Sequence, residues 1–257
     1  MMPSTTRPEW KKGAYRLLAV AFWLLAWQLT AMAVGHEFLL ASPLQVFISF
    51  VRLLTLPSSY LAFLNSTLRV LVGFFTALCL ALLLAAGASR SRLIHELVSP
   101  LVALARSVPV TSFVILAIIL VSTRWLSALI AFVIAFPVIY SNVLEGLFAQ
   151  DKALLEVAAV FRVTPFRKLI YITLPQLYSY LLSGAVTALG LSWKSGIAAE
   201  VIGIPRGSIG EKLYSAKVNY NTADLLAWTA FIVLLSLLTN KILKALFSRG
   251  REALTRL

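Results

Sequence analysis

Residues 154–175 read LLEVAAVFRVTPFRKLIYITLP. Glu156, Arg162, Arg167 and Lys168 crowd into this stretch of a chain that is 60% hydrophobic and only 13% charged. A bilayer-spanning segment excludes such charge, which costs roughly 2.5–3.5 kcal/mol per residue at mid-bilayer depth on insertion scales. A plain linker would not carry so regular an apolar face. At about 100° per residue Leu154, Val157, Ala158 and Phe161 share one side of a helix and Glu156 points away from it. Ala158 and Ala159 are small enough to permit close backbone approach. Thr164-Pro165 then reads as a stop and a new start, with Thr164 as cap and Pro165 in the first turn. The residues predict a short helix, a sharp turn and a second helix. They leave two readings open: an interfacial connector, or a docking element for a partner.

Outward from this stretch the chain is lipid-like. Soluble domains run near half apolar and about a quarter charged, well apart from the composition here. At about 20 apolar residues per crossing, six spans are expected, at 16–35, 65–88, 97–121, 126–148, 169–200 and 222–246. Pro109, Pro137, Pro175 and Gly184 interrupt or abut the third, fourth and fifth, as membrane helices tolerate where neighbours or a watery cavity satisfy the freed backbone. The interrupted stretch 37–64, with Pro43, Arg52 and Pro57, reads as an external turn plus an interfacial helix. The basic N-terminus and its apolar run resemble a signal peptide, but no small-residue cleavage site follows, and a retained first span is expected.

The charge has a direction. The formal net charge is +13, which invites a nucleic-acid reading. With the N-terminus inside, most of the 23 Lys and Arg fall in cytoplasmic segments, and Arg52, Arg124, Arg206, Lys212 and Lys217 fall outside. This is the positive-inside pattern of a membrane protein. It places both termini in the cytoplasm, removes the need for nucleic acid, and puts residues 154–168 on the cytoplasmic side. The single cysteine, Cys79, and the distant His36 and His95 form no metal or redox set. The same shortage weighs against an intramembrane enzyme. A secondary transporter or channel remains an alternative, although the hydropathy shows no inverted repeat.

Two groups of polar residues lie at membrane depth. Arg106, Ser107, Thr111 and Ser112 surround Pro109, and Ser192, Lys194, Ser195 and Glu200 sit in ALGLSWKSGIAAEVIG. Intramembrane charges face a cavity or pair with one another. Lys194 and Glu200 therefore either line a solute path or form a structural ion pair with Arg69 or Arg106. Snorkelling to an interface is a third reading for them. The Arg106–Ser112 break reads equally as a pathway segment or a kinked packing helix. The loop at 203–221 lacks a phosphate-binding pattern, since Glu211 rather than Lys follows Gly210. It reads as an external docking surface or a polar turn.

The stretch 154–175 also resembles the cytoplasmic loop of binding-protein-dependent ABC importer permeases. The likeness lies in Glu156-Val157-Ala158-Ala159, then Phe166, Ile170 and the closing Thr173-Leu174-Pro175. Further residues resemble the nitrate/sulfonate/taurine branch of that family: Leu39 to Pro43, Thr67-Leu68-Arg69 with Gly73, Ala188-Leu189-Gly190, Trp193 and Ala199-Glu200. The resemblance implies an all-α, type I importer permease fold in one domain over 1–257, with a coupling loop at about 149–168. It implies that Leu154, Glu156, Val157, Ala158, Ala159, Phe161, Arg162, Thr164 and Pro165 engage an ATPase subunit. It further implies two ATPase copies that hold ATP and Mg, no cofactor in this chain and a second permease copy forming a homodimer. An extracytoplasmic binding protein and a place in the bacterial inner membrane complete the expectation. One position departs from the family pattern: Arg162 stands where glycine is usual. A side chain enters the left-handed region at a cost, so the turn is expected at Val163-Thr164-Pro165 instead.

Overall fold

The computed structural model describes residues 9–255, with side chains described for Tyr15 and for 17–250. The expected inside cations Arg7, Lys11, Lys12, Arg16, Arg251 and Arg256 lie outside the described side chains. Among the described residues every regular element is helical, and the helices group into two compact units.

One unit comprises residues 1–57 and 213–230. Its first helix, α1 (Glu9–Val34), carries an apolar run over Leu17–Val34 that exposes Leu17, Phe22, Trp23, Leu25 and Leu29, the signature of a helix whose solvent is lipid. The Trp27 indole N–H donates to the Ala41 carbonyl at 3.1 Å, returning the chain against α1. α2 (Pro43–Thr55) starts on a capping box. The Gln45 amide donates to Ser42 Oγ and the Ser42 amide donates to Gln45 Oε1, so two otherwise orphaned N–H groups are satisfied reciprocally. Arg52 on α2 pairs with Asp224 in the same unit.

The other unit comprises residues 58–212 and 231–257. α3 (Pro57–Ala88) buries a stripe of small residues, including Ala62, Ser66, Gly73, Ala77, Ala81 and Ala85. Without a hydrophobic force between helices in lipid, such a stripe associates by close van der Waals packing. Gly73 shows how close: a Cβ there would stand 2.1 Å from the Ala128 carbonyl oxygen of the neighbouring helix. After α3 come α4 (Arg92–Ser107), α5 (Val110–Leu120) and α6 (Thr123–Phe148). The short α7 (Lys152–Val160) and α8 (Pro165–Lys168) follow, then a π-helical turn at Leu169–Thr173 that runs into α9 (Leu174–Gly203). α10 (Ile209–Val218) and α11 (Thr222–Thr255) complete the chain.

The expected third span is not one helix. α4 and α5 meet at 108° across Val108-Pro109. Proline drives the residue before it out of the helical region, and Val108 is extended at φ −75°, ψ 128°. Five helices are long and apolar enough to cross a bilayer, and the bent pair supplies a sixth only if counted as one broken span. The second span begins at Pro57 rather than 65, so the tail of the expected interfacial stretch belongs to α3. The other breakers do not break. Pro137 lies inside α6. Pro175 follows the π turn, where the Leu174 N–H reaches back five residues to the Leu169 carbonyl; widening the turn re-satisfies backbone that the proline ring disturbs.

Candidate functional site

The charged stretch forms the loop that its residues predict, with one correction. Asp151 caps α7, its carboxylate accepting from the Ala153 and Leu154 amides, while its own amide donates to Gln176 Oε1. α7 therefore starts from a fixed point on the following helical segment. Its end is set at Arg162, which takes φ +51°. The Val163 amide donates to the Ala158 carbonyl at 2.9 Å and the Arg162 amide to the Ala159 carbonyl at 3.0 Å. This is a Schellman closure with arginine at the position that favours glycine. The expectation that the turn avoids Arg162 is thereby overturned. Two hydrogen bonds that would otherwise be lost outweigh a conformational cost of about 1–2 kcal/mol. Thr164 does stand at the cap position before Pro165, but its side chain makes no capping bond.

Among the described residues much of the loop's apolar surface is left uncovered. Leu154, Val157, Val160, Phe161 and Phe166 are exposed, with Phe161 at 76% and Phe166 at 70%. Glu156, Ala159 and Arg162 are exposed beside them. Ala158 is buried at 4%, so of the two small residues expected on an outer face only Ala159 is available there. Two phenylalanines and two valines thus leave an exposed apolar patch on one short connector.

A second surface runs along α9. One side of this helix is packed, burying Leu177, Gly184, Ala185, Ala188, Leu189, Ser192, Trp193 and Gly196. The other side exposes Ser179, Ser183, Thr187, Lys194 and Ala198. At about 100° per residue these fall on one side of the helix, as a strip in which three hydroxyls precede a cation. Ser179, Ser183 and Thr187 escaped the sequence reading. Their i, i+4, i+8 spacing was visible, but its meaning depended on which face of α9 the chain itself covers.

The other predicted path residues divide. Ser192 is fully buried, its hydroxyl donating to the Ala131 carbonyl at 3.3 Å, and Ser195 is half-buried. Arg106, Ser107, Thr111 and Ser112 are exposed around the α4–α5 bend. Arg106 donates to the Pro137 carbonyl at 3.2 Å, and the Ser107 hydroxyl to the Ala103 carbonyl. Inside the bend lies an apolar cavity of about 250 Å³ walled by Leu101, Leu104, Val108, Phe113, Ile130 and Ile134. Among the described residues no hydrogen bond joins this group to residues 192–200.

Glu200 is not on an open surface at all. Its carboxylate is 0% exposed and accepts from Ser66 Oγ at 2.6 Å, Ser127 Oγ at 3.1 Å and the Gly210 amide at 3.3 Å. Arg69 Nη1 lies 3.4 Å away. The Ile209 amide in turn donates to Ser66 Oγ at 2.9 Å. A buried charge survives only when paired and hydrogen-bonded, and here α3, α6, α9 and the start of α10 all contribute. Gly210 makes this possible, since a Cβ there would lie 2.2 Å from Glu200 Cβ. The place of Glu200 on a solute path is corrected to a structural centre, with Arg69 and not Arg106 as its partner.

Residues 77–250 match the family described as binding-protein-dependent transport system inner membrane component. The chain is 26% identical over 250 residues to the putative aliphatic sulfonates transport permease protein SsuC of Bacillus subtilis, covering 95% of this chain and 88% of that protein. It is 25% identical over 177 residues to the bicarbonate transport system permease protein CmpB of Synechococcus elongatus, covering 68% of this chain and 64% of that one. With its apolar helices and its charged connector, the chain belongs to the multi-pass inner-membrane permeases of binding-protein-dependent ABC importers.

Proposed function

We propose that this chain is a single permease domain that lines the path of a small anionic solute, of the sulfonate or bicarbonate kind, through the inner membrane. A homodimer of permeases carries two ATPase subunits, which hold ATP and Mg, on the loop at 149–168. An extracytoplasmic binding protein delivers the solute to the opposite side, where residues 203–221 offer a docking surface. Both termini lie in the cytoplasm. ATP-driven closure of the ATPase pair moves the permeases as rigid bodies between inward-open and outward-open states.

The observation that carries this reading is the α9 strip. Lys194 is exposed in a helix apolar enough to cross a bilayer, on the same arc as Ser179, Ser183 and Thr187. A cation at that depth needs water or a partner; facing a second copy across an aqueous path, it has both the water and the attraction for an anion. The exposed Leu154, Val157, Phe161 and Phe166 support a docked ATPase, because an apolar connector left open to the cytoplasm invites aggregation. The relatives' names supply the solute class, and the positive charge of Lys194 agrees with it.

Water access tests the path. In a Cys79→Ser background, Ser183→Cys and Thr187→Cys should react with a membrane-impermeant thiol reagent in the assembled importer, and the reaction should block uptake. Ala188→Cys, on the packed side, should stay unlabelled. If Ser183→Cys and Thr187→Cys are as inert as Ala188→Cys, this face meets lipid or protein and the path lies elsewhere.

A further inference from the structure

The unit that holds the Glu200 centre also holds a cavity of about 730 Å³, lined by Asn65, Arg69, Thr123, Arg124, Trp125 and Arg206 among others. Three guanidinium groups face it and no carboxylate lines it. Arg69 is matched by Glu200 behind the wall. Arg124 and Arg206 are exposed, and among the described residues neither has a carboxylate at ion-pair distance. Basic groups that converge on one hollow repel each other unless an anion joins them.

The backbone around the cavity favours the same charge. Thr123 is the first residue of the 26-residue α6, and Ser122 before it makes no side-chain capping bond. The Trp125 amide donates to the Ser122 carbonyl at 3.0 Å, and the start of this long helix, the positive end of its dipole, lies at Thr123 on the cavity wall. Ile204, which also lines the cavity, is held at φ +45°. This is an unusual state for a β-branched residue, and it carries the chain from the end of α9 into Pro205-Arg206. The Trp125 ring, 5.9 Å from the Arg124 guanidinium, joins Leu68 and Val72 as an apolar wall.

We propose that this cavity binds a small oxyanion before the solute reaches the α9 strip, with Arg124 and Arg206 as its principal ligands. Planar guanidinium forks match sulfonate and carboxylate oxygens bidentately, as a lysine point charge does not. The apolar wall suits a short alkyl group on the anion. The proposal rests on the permease reading above, and it adds a site that neither the α9 strip nor the coupling loop contains. A phospholipid phosphate offers the same chemistry from a different source, and the test separates the two.

Binding of radiolabelled ethanesulfonate is measured on the permease–ATPase complex in phosphatidylcholine nanodiscs. Wild type should bind saturably. Arg124→Gln/Arg206→Gln should weaken binding at least tenfold, Arg124→Lys/Arg206→Lys should fall between, and Arg90→Gln, an exposed cation outside the cavity, should bind as wild type. Copurified ATPase confirms assembly of each variant, and the two arginines are exposed enough to be replaced without disturbing the core. Replacing half the lipid with phosphatidylglycerol should leave the affinity within twofold. Absence of saturable binding, equal binding by the Gln double variant, or a tenfold loss on adding phosphatidylglycerol would each overturn the proposal, the last by assigning the cavity to lipid headgroups. Nanodiscs are open on both faces and need no turnover. A failure here is therefore distinct from a failure of the transport reading, which the thiol-labelling experiment addresses.

Discussion

A single carboxylate holds four helices in register. Glu200 receives two hydroxyls, one amide and a guanidinium with no exposed surface. Removing one partner of such a pair leaves the other uncompensated, at a cost on the order of 3–5 kcal/mol in soluble proteins. Glu200→Ala should therefore strip the importer from the membrane fraction, and Glu200→Gln should lower its thermal midpoint in detergent. Pairing Glu200→Gln with Arg69→Met should recover part of that loss, because the stranded charge is gone. Unchanged thermal stability of Glu200→Gln would refute this account of the centre. The sequence marked Glu200 as an intramembrane charge and named Arg69 and Arg106 as candidate partners. It could not choose between them, because the choice depends on contacts between residues 131 positions apart.

At the scale of the element, the connector α7–α8 is specified locally. The apolar spacing over 154–161 and Pro165 lie close together in sequence, and helices form at both, while the Asp151 cap of the first was not part of the sequence reading. The turn departs from expectation, because Arg162 takes φ +51° while the Val163 and Arg162 amides donate to the Ala158 and Ala159 carbonyls; Thr164 makes no capping bond and Ala158 is buried. If this connector docks the ATPase, Ala159→Trp should overpack the contact by roughly 1–3 kcal/mol or more, and Glu156→Lys should reverse its charge. Both variants should insert and pair normally yet lose the ATPase on purification. Arg162→Gly should keep the ATPase, since glycine occupies the left-handed turn without strain. Should Ala159→Trp and Glu156→Lys copurify with ATPase and transport at wild-type rates, residues 152–168 are only a connector.

At the scale of the whole molecule, orientation follows from charge. Lys and Arg retained on one side of a bilayer fix which loops stay in the cytoplasm. A reporter fused after Leu257 should be active only in the cytoplasm, and one inserted near Gly207 only outside. The bent pair α4–α5 makes this informative. If it crosses the membrane as one broken span, the parity of six crossings puts Leu257 on the N-terminal side; if it re-enters, Leu257 and the N-terminus lie on opposite sides. A cytoplasmic signal from the Gly207 insertion would overturn the inside placement of residues 154–168.

The sequence by itself determined the membrane class, the approximate spans, the two short helices of the connector and the family, because hydropathy, spacing and turn residues act over short distances. The resemblance carried by Glu156-Val157-Ala158-Ala159 and the later residues needed no tertiary information. The tertiary structure alone decided which of several prolines breaks its helix: Pro109 does, whereas packed neighbours and a π turn accommodate Pro137 and Pro175. It alone separated exposed Lys194 from enclosed Glu200, six residues apart on one helix. It also gathered Arg69, Arg124 and Arg206 from three segments into one cavity. The physical reason is common to all three: a charge or a freed carbonyl is judged by what surrounds it, and those surroundings come from parts of the chain far away in sequence.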